Sequence, residues 1–215
     1  MSRIVVQEFI TLDGVVQAPG GPDEDRDGGF EAGGWATDHD REHDVADEGG
    51  PIIVEWESRT EALLLGRRTY DIWSGSWGVW DEAAEGLQGE FTRRYNRVPK
   101  YVASASAREL GWRNSHLLVD PAVQVAALRD RPGGEIRVWG SSVLVRTLVE
   151  HDLIDEIRLM IYPIELGTGK RLFPEGFPAA AFGPAETRTL GSGVVIAVHR
   201  RSGACLLYTS DAADE

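Results

Sequence analysis

The chain has 215 residues, of which 42% are hydrophobic and 27% charged, and this balance is typical of a single globular domain rather than of a disordered chain. Its formal net charge of -13, from 35 acidic and 22 basic side chains, disfavours binding to nucleic acid or to an anionic membrane. A site for an anionic ligand must therefore depend on a local group of basic side chains or helix N-termini.

The amino-terminal segment and the cysteine content suggest a cytoplasmic protein. The opening MSRIVVQEF lacks the apolar run and cleavage site of a signal peptide, and no stretch approaches the roughly 18 apolar residues of a membrane span. The single cysteine, Cys205, cannot form an internal disulfide, which favours a reducing compartment. We therefore expect a cytoplasmic location and no membrane partner.

The first half of the chain predicts two strands separated by a long acidic loop and two helices. Apolar alternation indicates the strands, and glycine and proline mark the interruptions. In chain order we predict a strand over Arg3–Phe9, a loop over Gly14–Gly34, helices over Thr37–Asp47 and Ile52–Thr60 separated by Gly49-Gly50-Pro51, a strand over Ala62–Leu65 and a helix over Arg67–Trp73.

The second half continues this alternation and ends in strands. In chain order we predict a helix over Glu85–Asn96, strands over Lys100–Ser104 and Leu117–Val119, a helix over Pro121–Arg129, a strand over Glu135–Trp139, a helix capped by Ser141 or Ser142 and ending at Glu150, a strand over Ile157–Ile164 and a hairpin of Thr187–Leu190 with Val194–Arg200. Such a pattern is typical of an α/β fold with an antiparallel edge.

The carboxyl-terminal string CLLYTSDAADE, from Cys205 to Glu215, matches one reading frame of a transposon adapter used in sequencing libraries. We therefore expect one domain over residues 1–204 and a tail over residues 205–215 that is not native. Cys205 lies in this tail and plays no part in the functional argument.

The first candidate site is the turn from Gly66 to Thr69, where a buried strand passes into a helix. A helix N-terminus offers free backbone N–H groups and the positive end of a dipole, and glycine allows a ligand to approach the backbone closely. Arg67 and Arg68 add charge, and Thr69 adds a hydroxyl. These features favour a phosphate site, although an ordinary strand-to-helix turn with solvated arginines explains them equally well.

Two later strands end in a similar way. The strand before Gly140 passes into a helix at Ser141 and Ser142, without the spacing of a GxGxxG dinucleotide motif. Another strand ends at Ser104 and Ser106, with Arg108 nearby. Because ligands of open α/β sheets bind at the carboxyl ends of strands, the three turns together favour a nucleotide site more than any one of them.

A family resemblance adds to this argument. The strings LLLGRRTYD, KYVASAS and IRVWGSSVLVRTLVEHDLIDEIRLMIYPIELGTGKRLF follow the order and spacing of the dihydrofolate reductase fold. Together with FITLDGVVQAPGG they resemble its stand-alone branch, named after the C-terminal reductase domain of the bifunctional riboflavin biosynthesis deaminase/reductase (the RibD C-terminal domain). The resemblance extends to about Ser202. It implies a three-layer fold with a mostly parallel central sheet, an antiparallel C-terminal edge and flanking helices.

The resemblance also implies an NADPH-dependent oxidoreductase and assigns its cofactor residues. It places Gly66, Arg67 and Thr69 on the phosphates, and Ser104 and Ser106 at the adenosine 2′-phosphate. It matches the family's glycine-rich pyrophosphate turn to Gly140, Ser141, Ser142, Val143 and Leu144, where serines replace two of the family's glycines.

The nominal activity implied by the resemblance is reduction of 5-amino-6-(5-phosphoribosylamino)uracil in riboflavin synthesis. A dihydrofolate or pteridine reductase is the alternative, and a non-catalytic nucleotide- or flavin-binding protein is the alternative of another class. The expected partner is a small heterocyclic substrate, and a homodimer is compatible with the family. The chain has no zinc-deaminase motifs, so deamination is excluded for it as given.

Two residues are candidates for substrate binding. Asp13, in TLDGV, is suited to bond a heterocycle or a ribose hydroxyl, or else serves as a turn aspartate before Gly14. Trp35 is suited to stack against a substrate, or else anchors the long loop in the core. The catalytic acid is not identified, since Glu42, Asp44 and Glu55 are all candidates.

One competing motif is His39-Asp40-Arg41-Glu42-His43, which fits the inverted zinc-protease pattern H-x-x-E-H. On a helix the two histidines would share a face, with Glu42 as base. The acidic, polar surroundings favour a solvated helix face instead, and we expect no metal.

Overall fold

The computed structural model describes residues 1–106, 109–183 and 186–201, and within them eight strands form one sheet in the order β4-β3-β2-β5-β1-β6-β8-β7. The strands are β1 (Arg3–Thr11), β2 (Thr60–Gly66), β3 (Lys100–Ala103), β4 (Ser115–Leu118), β5 (Glu135–Trp139), β6 (Glu156–Tyr162), β7 (Glu186–Thr189) and β8 (Val195–Arg200). The helices are α1 (Trp35–Glu42), α2 (Val45–Ser58), α3 (Arg67–Ser74), α4 (Gly86–Arg97), α5 (Pro121–Arg129) and α6 (Ser142–Glu150).

Strands β1 to β6 pair in parallel, whereas β8 is antiparallel to both β6 and β7. This arrangement confirms the predicted fold class, a mostly parallel sheet with an antiparallel C-terminal edge. All carboxyl ends of the parallel strands therefore lie at one edge of the sheet, which we call the carboxyl edge.

Helices cover both faces of the sheet, and the apolar run of β2 shows why. Leu64 packs in a core with Leu144 and Leu148 of α6, whereas Leu63 and Leu65 pack on the opposite face with Tyr70 of α3. All three leucines are fully buried. A strand buried on both faces needs a continuous apolar run instead of alternating apolar and polar residues, and β2 has such a run.

The predicted break at Gly49-Gly50-Pro51 is wrong, because α2 continues through all three residues. A Cβ atom on Gly49 would lie 3.3 Å from the Met160 side chain and 3.5 Å from that of Leu190, so the missing side chain lets the helix lie close to the sheet. Tertiary packing of this kind outweighs a weak local propensity. The chain breaks instead at Asp44, whose φ of 51° is left-handed.

Other boundaries shift by a few residues. The strand predicted to reach Ile164 ends at Tyr162, because Pro163 cannot donate a ladder hydrogen bond. The long loop between β1 and α1 contains a short 3-10 turn at Asp27–Gly29 and a bridge from Val15 to Arg171. The proposed adapter tail, Cys205 to Glu215, lies outside the described residues. Within the described ranges, no helix combines the length and the apolar character needed to cross a membrane.

Candidate functional site

Two of the predicted phosphate turns meet at the carboxyl edge because β2 and β5 are neighbours in the sheet. The Gly66 N–H donates to Ser141 Oγ at 2.8 Å, and Ser141 Oγ lies 3.1 Å from Thr69 Oγ1. The Ser141 N–H donates to the same Thr69 oxygen at 3.2 Å. Gly140, with a φ of 52°, lies so close that a Cβ there would be 2.9 Å from Thr69 Oγ1. The two turns thus form one unit, which we call the turn pair.

The start of α6 shows how this unit is built. Ser141 is the N-cap residue in a left-handed conformation, and its hydroxyl bonds to the Trp139 carbonyl at 2.9 Å instead of capping the helix. The predicted serine cap is therefore right in position but wrong in its bonding. The first N–H groups of a helix have no partner within that helix, so those of α6 are available to an anion.

The remaining predicted cofactor residues of α6 differ in exposure. Ser142 lines the cavity described below, Val143 is largely exposed and Leu144 is buried in the core. Only the backbone of Leu144 is therefore suited to meet a ligand.

Arg67 and the two serines after β3 lie next to the turn pair. The Arg67 Nε donates to both carboxylate oxygens of Asp71, at 2.9 and 3.0 Å, one turn further along α3. Gly66 pairs with Ala103, the last residue of β3. Ser104 therefore begins the loop that leaves the sheet beside the turn pair. The exposed Ser104 hydroxyl accepts the Ser106 N–H at 3.1 Å. Arg108 lies outside the described residues.

A cavity of about 320 Å³ opens beside the turn pair. Its position follows from the register: the last residue of β5, Trp139, pairs with Gln7, whereas β1 continues to Thr11 along β6. Beyond Gln7 the β5 side of β1 is therefore free for a ligand. Residues from both faces of the sheet line the cavity, among them Glu8, Phe9, Gln17, Glu24, Asp25, Thr69, Trp73, Trp77, Phe91, Tyr95, Trp139, Gly140, Ser142 and Lys170.

Glu8 is a cavity residue that the sequence argument missed. It is 3% exposed, and its Oε1 is buried without a hydrogen-bond partner among the described residues. Burial raises the pKa of the Glu8 carboxyl well above its usual value, and a hydrogen bond from the Gly140 N–H opposes this only in part. A signal was present in the sequence, because Glu8 occupies the same alternating face of β1 as the core residues Ile4 and Val6.

Asp25 and Lys170 line the cavity, and with their partners Asp27 and Arg68 they form a group of charged side chains that we call the rim cluster. Asp25 accepts hydrogen bonds from Arg68 at 2.5 Å and Lys170 at 2.9 Å, and Lys170 also contacts Asp27 at 2.8 Å. Burial alone would raise the pKa of Asp25, but these hydrogen bonds outweigh it and lower the value to about 2. The cluster ties the long loop to α3 and to the loop that follows β6.

The two predicted substrate residues hold loops in place. The Asp13 carboxylate accepts the N–H groups of Leu166 and Gly167 at 3.3 and 3.0 Å and the Thr11 hydroxyl at 2.6 Å. The ring of Trp35 is buried and its Nε1 donates to the Gln17 carbonyl at 2.8 Å. These contacts match the structural alternatives, and a substrate role for either residue stays a prediction.

The acidic helix residues and the histidine motif lie elsewhere. Glu42 and Glu55 are exposed on α1 and α2, and Asp44 is exposed at the break between them, so none of the three has the burial of Glu8. His39 packs edge-on against Tyr162 and 4.5 Å from the ring of His43. Among residues 1–106, 109–183 and 186–201, no group of three or more His, Cys, Asp or Glu side chains is placed to hold a metal ion.

Comparison with known proteins agrees with this architecture. The sequence model of the RibD C-terminal domain family matches residues 2–196. The uncharacterized protein YyaP of Bacillus subtilis is 27% identical over 207 residues, which cover 94% of this chain and 96% of that protein.

Three solved structures share the fold at low sequence identity. A putative riboflavin biosynthesis protein from Shewanella superposes with a TM-score of 0.59 at 19% identity, covering 94% of this chain and 99% of that one. Dihydrofolate reductase of Enterococcus faecalis, complexed with NADP(H) and RAB-propyl, superposes with a TM-score of 0.54 at 12% identity, covering 94% of this chain and 97% of that one. A pyrimidine reductase-like protein from Corynebacterium diphtheriae superposes with a TM-score of 0.54 at 9% identity, covering 93% of this chain and 91% of that one.

Proposed function

The chain belongs to the RibD C-terminal domain family, and from that premise we propose that it is an NADPH-dependent reductase of a small nitrogen heterocycle. The family supports a reductase of the riboflavin-pathway type. The observation that carries the proposal is the turn pair, since two strand-to-helix turns joined through Thr69 and Ser141 open directly onto an aromatic cavity.

The turn pair suits a dinucleotide. Gly140 lets the two turns pack against each other, since a Cβ there would lie 2.9 Å from Thr69 Oγ1, and the start of α6 offers N–H groups to a pyrophosphate. We assign Gly66, Arg67, Thr69 and the turn from Gly140 to Leu144 to the phosphates, and Ser104 with Ser106 to the 2′-phosphate. NADPH, when bound, supplies the hydride, while the chain orients the reactants and excludes water.

The test compares NADPH and NADH in a binding titration of the wild type and of Gly140→Ala. We expect preference for NADPH, and an affinity at least about tenfold weaker in the variant, because the new methyl group meets Thr69 at a strained φ. Gly111→Ala is the matched control, since a Cβ there meets nothing within 4 Å. Unchanged NADPH binding by a folded Gly140→Ala protein, or equal binding of NADH by the wild type, contradicts the assignment.

A substrate panel follows, with 5-amino-6-(5-phosphoribosylamino)uracil first and dihydrofolate second. Consumption of NADPH with one member supports the reductase. Tight NADPH binding without consumption on any member favours instead the non-catalytic nucleotide-binding protein. A cytoplasmic location and a homodimer stay predictions, and sedimentation measures the latter.

A further inference from the structure

A second cavity, of about 400 Å³, lies between α2 and the strands β6, β8 and β7. Arg3 and Glu156, the first residues of β1 and β6, line it, so it lies at the end of the sheet away from the turn pair. We propose that this cavity binds a phosphate dianion, free or as a monoester, through the guanidinium groups of Arg59 and Arg188. The site goes beyond the proposed reductase function and does not depend on it.

The register of the strands brings the basic side chains of this cavity together. Arg158 of β6 pairs with Val198 of β8, and Arg188 of β7 pairs with Ile196 of β8. Residues directly opposite each other in neighbouring strands lie on the same face of a sheet. Because Val198 and Ile196 pack in a core with Trp56 of α2, both arginines lie on the face that α2 covers.

The lining of the cavity carries an excess of positive charge, although the whole chain has a net charge of -13. Among the described residues, five arginines and three glutamates line it: Arg3, Arg59, Arg158, Arg188, Arg200, Glu55, Glu156 and Glu186. These eight side chains have a net charge of +2, and behind them Glu135 and Arg137 neutralise each other in a buried pair. A dianion matches this excess, whereas a monoanion leaves half of it unbalanced.

Two of the arginines keep N–H donors for a ligand. The Arg188 side chain is exposed and has no ion pair or side-chain hydrogen bond within the described ranges. Arg59 approaches Glu55 and Glu135 only at 3.5 and 3.8 Å, longer than the roughly 2.7–2.9 Å of a charge-assisted hydrogen bond. Guanidinium groups present paired N–H donors that match the oxygens of a phosphate, so both are suited to bind one.

The other arginines keep the glutamates occupied. Glu156 is contacted by Arg158 at 2.5 Å and by Arg200 at 3.2 Å, and Glu186 is contacted by Arg200 at 2.5 Å. The carboxylates of Glu156 and Glu186 are therefore already paired and do not neutralise Arg188. An anion that enters the cavity meets two available guanidinium groups and carboxylates that are held by other partners.

The test titrates three anions into the full chain at low ionic strength and follows backbone N–H signals by NMR. The probes are inorganic phosphate, phenyl phosphate and benzoate, at about pH 8, above the second phosphate pKa of about 6. We expect both phosphates to shift the signals of Arg188 and Ile196, and benzoate, a monoanion with the same ring, to bind at least about tenfold more weakly than phenyl phosphate. Tighter binding of phenyl phosphate than of inorganic phosphate identifies an ester as the ligand, and equal binding identifies free phosphate.

Substitutions locate the binding. We expect Arg188→Ala and Arg59→Ala each to weaken phenyl phosphate at least about fivefold, and Arg188→Lys, which keeps the charge but loses the paired donors, to fall between Arg188→Ala and the wild type. Arg41→Ala is the matched control, because Arg41 is an exposed arginine paired with Asp38 on α1 and should leave the affinity unchanged. NADPH affinity should stay the same in all four variants, since none of these residues belongs to the turn pair.

Three results overturn the proposal. The first is a set of phosphate-induced shifts confined to Gly66 and Gly140, which would mean that phosphate binds only at the turn pair. The second is wild-type affinity for phenyl phosphate in folded Arg188→Ala and Arg59→Ala proteins, or an equal loss in Arg41→Ala. The third is benzoate binding as tightly as phenyl phosphate.

Discussion

At the residue scale, Arg67 combines a local structural contact with a proposed role at the cofactor. Its guanidinium is paired with Asp71 one helical turn away and lies 5.8 Å from the centre of the Tyr70 ring. Exposed pairs at this spacing stabilise a helix by only a few tenths of a kcal/mol. The ion pair with Asp71 therefore positions the Arg67 side chain beside the turn pair but contributes little to the stability of α3.

Arg67→Ala tests that role. We expect NADPH affinity to fall about tenfold, because a charged contact with a phosphate is lost, while unfolding free energy changes by less than about 0.5 kcal/mol. Arg146→Ala is the matched control, since Arg146 forms the same kind of pair with Glu150 on α6 at 2.9 Å. Equal NADPH affinity in both variants and the wild type would remove Arg67 from the cofactor site.

At the element scale, two loops form the outer rim of the cavity and are held there by specific contacts. The loop before α1 meets the loop after β6 through the Val15–Arg171 bridge and through the Lys170 N–H, which donates to Gln17 Oε1 at 2.9 Å. The rim cluster adds ion pairs through Asp25. The two loops are thus held over the cavity by polar contacts as well as by buried apolar side chains such as Val15, Phe30 and Leu172.

Asp25→Asn should loosen these loops and lower the unfolding free energy by about 1–2 kcal/mol at neutral pH, because Arg68 and Lys170 lose the buried carboxylate of Asp25 and retain that of the exposed Asp27. The folded-state pKa of Asp25, about 2, lies below its usual value of 3.8. Its contribution is therefore complete above about pH 4 and disappears as the pH falls through about 2, so the difference between wild type and variant should shrink over that range.

Urea unfolding at several pH values measures this effect, and limited proteolysis reports loosening of the loop itself. Asp23→Asn is the control, because Asp23 and its partner Arg26 are both exposed and the loss should stay below about 0.5 kcal/mol. An Asp25→Asn protein as stable and as protease-resistant as the control would show that the rim cluster does not hold the loops.

At the scale of the whole molecule, the two edges of the sheet have different roles. The amino edge carries a buried ionic network: Glu135 contacts Arg137 and Arg158 at 2.5 and 2.7 Å, and Glu156 contacts Arg158 and Arg3 at 2.5 and 2.6 Å. This network links β1, β5 and β6. The carboxyl edge of the same strands carries the turn pair and the cavity, so stability and the proposed function are separated along the strands.

Glu135→Gln should therefore destabilise the protein by about 3–5 kcal/mol, because two buried guanidinium groups lose a charged partner. NADPH affinity of the protein that remains folded should not change. Urea unfolding measures the stability, and the NADPH titration measures the affinity. Glu150→Gln is the control, because Glu150 forms an exposed ion pair with Arg146 on α6. A small change in stability, or a loss of NADPH affinity in folded protein, would contradict this separation.

Local sequence was sufficient for much of the fold. The apolar run of Leu63, Leu64 and Leu65 predicted a buried strand, and glycine, serine and threonine after β2 and β5 predicted turns suited to phosphate. Both predictions depend on residues that are adjacent in the sequence, so their propensities and periodicity are sufficient to make them. The same local rules failed at Gly49, where contact with Met160 and Leu190 lets the helix continue.

The candidate site depended on strand order, which no local pattern contains. Because β2 lies beside β5, Gly66 meets Ser141, 75 positions further along the chain. Because β5 ends where Gln7 pairs with Trp139, the next residue of β1, Glu8, borders a cavity on that side and pairs with β6 on the other. The sequence by itself thus determined the elements and the residue types of the turns. The tertiary structure alone decided which turns meet and that one carboxyl group is buried beside them, since burial and pairing are set by residues far apart in the chain.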